Sequence, residues 1–255
     1  MLVVRNDPPM STVDGWGLRG MAQQANPAFA AGAVVVPVAA LAGAIMTGDF
    51  RPLFYVHVMA GVLWTGVDVF MGAVLGPVLG GLSIDERASV FERFTPKMTF
   101  LMPTLAVVTI GGGITLATEL GKFPHANPWL AIVTAAVLLP VVPLIAAQFD
   151  ALRDRRTVVA FVLALAVSAA ALAVTLPAFA WTSQEMLLVL GIVTLLSVLG
   201  FGVILPGEVR IYRELRSTNP DTETISTIGM RNARLGGVQG LLQLGIIVAM
   251  TFLRF

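Results

Sequence analysis

The chain has 255 residues, of which 56% are hydrophobic and 12% charged, with a mean hydropathy of +0.85 and a formal net charge of +1. A soluble domain carries about twice that share of charge, so the composition puts this chain in a lipid bilayer. There is no cysteine and there are two histidines, His57 and His125, which excludes disulfides, thiolate metal sites, a catalytic thiol and covalently attached c-type haem.

Residues 1–27 read as a polar, irregular tail with Asp7-Pro8-Pro9 and Asp14-Gly15, and at most a short interfacial piece around Trp16. No apolar core of signal-peptide type precedes Ala28. Residues 28–255 read as one transmembrane bundle. The first span is about Ala28–Thr47, with Pro37 inside it, and the turn Gly48-Asp49-Phe50 leads into a second at about Pro52–Gly80.

The second span carries the polar groups that hydrocarbon should exclude. At about 100° per residue, Trp64 and Asp68 each lie about 20° from His57, on opposite sides of it, and Gly61 shares the stripe. A face of His57, Gly61, Trp64 and Asp68 points at other helices or at a cavity. Asp68 sits about 24 Å from the start of its helix, where a carboxylate needs a partner. The partners at matching depth are Gln239 and Gln243 on the last span, or Arg231 and Arg234 just below them.

Ser83 with Glu86 fits a capping box. It opens a short amphipathic interfacial helix that Thr95-Pro96 is expected to end near Phe94. The third span is about Met98–Leu120, with Gly111-Gly112-Gly113 allowing close approach of a backbone or a flat ligand. The fourth is about Trp129–Phe149, the fifth about Thr157–Ala180 and the sixth about Glu185–Pro206. A polar connection, Gly207–Leu235, holds Glu208, Arg210, Arg213, Arg231 and Arg234, and Pro220 marks a fresh helix start within it. The seventh span is about Gly236–Leu253, and Asn232, Gly236, Gln239, Gly240 and Gln243 form one stripe along it.

The fold class is therefore all-α, a polytopic membrane bundle of about seven helices. With seven spans, 13 of the 16 lysines and arginines fall on one side. The positive-inside rule then places the N-terminus in the cytoplasm and the C-terminus outside, in a cell (inner or plasma) membrane. His57 and His125 belong to the outer half. Imidazole is a haem or metal ligand there, or a polar group bonded to a neighbouring helix. His125 stands in a turn between Pro124 and Asn127-Pro128. Met46, Met59, Met186 and Met250 share that half, and thioether with imidazole suits copper(I) as well as plain packing.

The pattern His57-x3-Gly61-x2-Trp64-x-Gly66 resembles the histidine-bearing helix of the membrane domain of cytochrome c-type urate oxidases, and is similar to copper-resistance-D-like membrane proteins. Phe94-Thr95-Pro96 and the later Thr109–Gly113 stretch extend the resemblance over residues 51–120. It implies an inner-membrane bundle near a redox centre or copper handling, and a membrane or redox partner protein. The chain lacks the Cys-x-x-Cys-His segment of a complete urate oxidase, and Asp68 has no counterpart in the pattern.

Three functions follow as expectations. One is a b-haem-containing or quinone-linked redox protein with His57 as ligand and Gly61 and Trp64 beside the cofactor. Another is a permease for copper or a small solute that uses Asp68 and Gln239. The third is a non-catalytic membrane subunit.

Overall fold

The computed structural model describes residues 17–252. Among them are eight helices and no strand. We label them α1 (Leu18–Ala25), α2 (Pro27–Thr47), α3 (Phe50–Gly80), α4 (Ile84–Glu119), α5 (Ala126–Gln148), α6 (Arg155–Ala178), α7 (Gln184–Leu215) and α8 (Thr222–Phe252). All but α1 are long and apolar enough to cross a membrane. The chain is a multi-pass integral membrane protein, and the seven spans agree with the hydropathy reading.

The helices α3, α4 and α8 form the centre. They pack on one another, α2 leans on α3 and α4, and α7 closes against α8 and α5. The outermost helix, α6, packs on α5. In lipid the drive for this arrangement is close packing rather than hydrophobicity. Gly72 of α3 and Gly237 of α8 show it most directly, since a Cβ built on Gly72 would lie 2.3 Å from the Gly237 Cα. Any side chain there would push the two backbones apart.

Three expectations from the sequence need correction. First, Thr95-Pro96 ends nothing: α4 runs unbroken for 36 residues from its Ser83–Glu86 capping box. Pro96 cannot bond the Glu92 carbonyl. The Gln24 side-chain amide of α1 donates to that carbonyl instead, at 3.4 Å, and Thr99 Oγ1 bonds the Thr95 carbonyl at 2.9 Å. Second, part of the expected tail is helical, and α1 packs on α4 and α2 with Met21 and Ala25 buried. Trp16 lies outside the described residues.

Third, the polar connection Gly207–Leu235 is mostly helix. Helix α7 continues to Leu215 and α8 begins at Thr222, with Asp221 accepting from the Glu223 and Thr224 amides and from the Thr224 hydroxyl. Those bonds hold the Asp221 carboxyl below the ordinary carboxylate range. Pro220 therefore stands one residue before the cap instead of inside the helix.

Two of the spans are not plain α-helix throughout. A π-helical turn occupies Met71–Leu75 in α3 and another occupies Gly200–Ile204 in α7, each followed by a proline, Pro77 and Pro206. Such turns leave carbonyls short of a donor, and inside a membrane a neighbour must supply one. Around Pro206 the neighbours are visible. Gln148 Nε2 of α5 donates to Gly202 O at 3.2 Å and Val203 O at 2.9 Å, and Asn232 Nδ2 of α8 donates to Ile204 O at 3.1 Å.

Two ends of the bundle can be told apart. One carries the 149–154 and 216–221 connections and most of the arginines. At the opposite end Trp129, Phe179 and Trp181 stack with ring centroids 5.1–6.0 Å apart, and the Trp129 indole N–H bonds the Ala180 carbonyl. This resembles an interfacial aromatic belt.

Candidate functional site

His57 lies two turns into α3 from the aromatic end and is 8% exposed. Its Nδ1 is 2.8 Å from the Thr109 carbonyl oxygen of α4. A carbonyl only accepts, so Nδ1 carries the proton, and in neutral imidazole Nε2 is left as the basic nitrogen. This is the orientation in which a ligating histidine is held by its other nitrogen. The triple glycine of α4 makes it possible. A Cβ on Gly113 would stand 2.8 Å from His57 Cε1, and one on Gly112 would stand 3.3 Å from His57 Cβ. The glycines thus admit the histidine-bearing helix itself. Gly61 meets Thr109 in the same seam.

His57, Gly61 and Trp64 line a wide, largely apolar cavity of ≈ 620 Å³. That is within the range of roughly 300–1,000 Å³ typical of small-molecule and cofactor sites. Phe54, Val58, Val62 and Ile247 line it too and are exposed on the membrane-facing surface, so the cavity opens sideways toward lipid. Its polar groups are sparse: His57, Thr109, Lys122 and Gln243 are among them. The Thr109 hydroxyl and Gln243 Oε1 have no hydrogen-bond partner among the described residues.

His125 is not in this cavity. It stands exposed just before the first turn of α5. The structure therefore does not bring the two histidines together, and no group of three or more His, Cys, Asp or Glu able to hold a metal occurs among the described residues. Of the four methionines, Met186 and Met250 line the cavity, while Met46 and Met59 are exposed.

Asp68 is 3% exposed and its Oδ2 accepts from Gln243 Nε2 at 2.8 Å. The Trp64 side chain is a second donor to it. Gln239, the other expected partner, donates to the Leu196 carbonyl of α7 at 2.9 Å. Arg231 turns to Gln148 and Asn232, and Arg234 is exposed. The whole stripe of α8 is buried: Asn232, Gly236, Gln239, Gly240 and Gln243 all face the bundle.

A second, narrow cavity of ≈ 80 Å³ lies toward the arginine-rich end. Asp68, Gln239, Asn232 and Glu208 line it, together with Met71, Gly200, Phe201 and Ile204 from the two π-helical turns. Glu208 is the residue that sequence reasoning placed in a loop. It belongs to α7, where its Oε1 accepts from Asn232 Nδ2 at 2.8 Å and its carboxylate also faces the Thr95 hydroxyl. The signal was present in the buried face of Gly207, Ile211 and Tyr212, whose helical spacing continues the sixth span.

No protein-family model, curated protein or solved structure matches this chain.

Proposed function

We propose that this chain is a membrane redox protein that holds a b-type haem in the wide cavity, with His57 Nε2 as an axial ligand. The observation that carries the reading is the His57–Thr109 bond. It fixes the ring and leaves Nε2 as the basic nitrogen of a cavity large enough for a planar cofactor.

The remaining lining fits the same group. A macrocycle is apolar on both faces, as the cavity is. Lys122, at the aromatic end, suits the carboxylates that such a cofactor carries at one edge. Met186 and Met250, which line the same cavity, would offer thioether ligands to such a group, whereas His125 lies outside it. Haem supplies one-electron exchange when bound. The chain's own residues hold and orient it: Thr109 sets the imidazole, Gly113 leaves room for the ring, and Trp64 closes the floor. The sideways opening suits exchange with a membrane-soluble electron carrier or a membrane partner protein.

The arginine bias supports a cytoplasmic arginine-rich end and an outer wide cavity. A cysteine at Thr218 should then resist an impermeant thiol reagent added to intact cells, and rapid labelling from outside would reverse the orientation.

The haem reading is tested by the absorption spectrum of the purified protein. A Soret band is expected in the wild type, with loss of bound haem in His57→Ala and an unchanged elution profile. A wild type without haem, or full haem content in His57→Ala, overturns it.

A further inference from the structure

The narrow cavity has no part in holding a haem, yet two carboxylates line it. We propose that Glu208, the narrow cavity and Asp68 form a proton path that runs from the arginine-rich end to the floor of the wide cavity.

The two acids are stepped along the bundle. Glu208 lies seven residues from the end of α7, about 10 Å, and Asp68 twelve residues from the end of α3, about 18 Å. A structural clamp needs one acid and one amide, which Asp68 and Gln243 already provide. It needs neither a second carboxylate in the same cavity nor polar atoms without partners. Both are present: Glu208 is the second acid, with Asn232 and the facing Thr95 hydroxyl as its neighbours, and Gln243 Oε1 is unpartnered. The cavity has room for several waters at about 10–15 Å³ each. Ionisable groups this deep in a membrane bundle are costly and mark ion or proton routes.

The route continues across the partition. Trp64, Ile110, Leu196, Ser197 and Phe201 line both cavities, so a single layer of side chains divides them. Asp68 lines the narrow side. Its partner Gln243 is 4% exposed, lines the wide side and keeps Oε1 unpartnered there. Ser197 is the hydroxyl-bearing residue among those that line both sides.

The transfer is a plain proton exchange. The O–H bond of the Glu208 carboxyl breaks and its proton passes to water, and that water releases another proton to an oxygen of the Asp68 carboxylate. Glu208 is left as the carboxylate and Asp68 as the acid; proton uptake at the arginine-rich end resets Glu208, and release of the Asp68 proton to water on the wide-cavity side resets Asp68. A metal cation fits worse. Arg231 stands beside Glu208 with Arg210 near it, and both repel a fixed cation.

The test uses the full chain in lipid vesicles with an entrapped pH indicator and a potassium diffusion potential, with and without haem. Wild-type vesicles should acidify faster than protein-free ones. Glu208→Gln and Asp68→Asn should each fall to the protein-free rate, and Glu119→Gln, an exposed acid at the aromatic end, should conduct as wild type. Both path variants keep hydrogen-bonding groups of the same shape, and elution as a single species confirms folding for each. A wild-type rate equal to that of protein-free vesicles overturns the path, and so does wild-type conduction by either variant. The assay does not depend on bound haem, so its failure and failure of the haem reading are separate results.

Discussion

Helices α6 and α8 invert the rule that holds in water. The more apolar span, α6, has a mean hydropathy of 2.6 and only 6% of its apolar stretch is buried; α8 has 1.7 and 33%. In water the apolar helix would be the core. In lipid an apolar side chain gains little by leaving the tails, so burial goes to helices that can approach closely or bond to one another. On α8 those are Gly236, Gly237 and Gly240 with Asn232, Gln239 and Gln243. On α6 the one buried residue is Ser168, while Phe161, Val162, Leu163 and Leu165 face outward.

The sharpest way to break this contrast is at the α3–α8 seam. Gly72→Val puts atoms where the Gly237 backbone stands and should cost about 3 kcal/mol or more, or abolish folding, measured by unfolding in detergent micelles. Asp68→Leu comes next. It strips Gln243 Nε2 of its acceptor and should cost about 1–3 kcal/mol, whereas Asp68→Asn should be nearly neutral for stability because an amide oxygen still accepts. Ser83→Ala removes the cap of the longest helix and should cost about 1 kcal/mol. Leu163→Ala on α6 should stay within about 0.5 kcal/mol, although it deletes a large apolar side chain. A large loss there would mean that α6 packs against something other than lipid.

The site was partly legible. The sequence, at about 100° per residue, placed His57, Gly61, Trp64 and Asp68 on one face, and that face does turn inward, because helical geometry is local. It named Gln243 as a partner of Asp68 from depth alone, and the bond is there. It offered Gln239 equally, and only the packing of α8 against α7 sends that amide to Leu196. It missed Glu208, because a run rich in charge beyond Pro206 reads as a loop unless a neighbour repairs the helix.

What the sequence determined by itself is set by period and composition: seven spans, the capping box at Ser83, the inward polar stripes of α3 and α8, and the uneven distribution of arginine. What the tertiary structure decided depends on groups far apart in the chain. Pro96 does not break α4 because Gln24 takes the orphaned carbonyl, and Pro206 does not end α7 because Gln148 and Asn232 do the same there. His57 is held through Thr109, 52 residues away, across a glycine surface whose purpose its own helix does not reveal. In a bilayer every backbone polar group must find a partner inside the protein, so helix ends, cavities and the placing of Glu208 were settled by which side chains could reach.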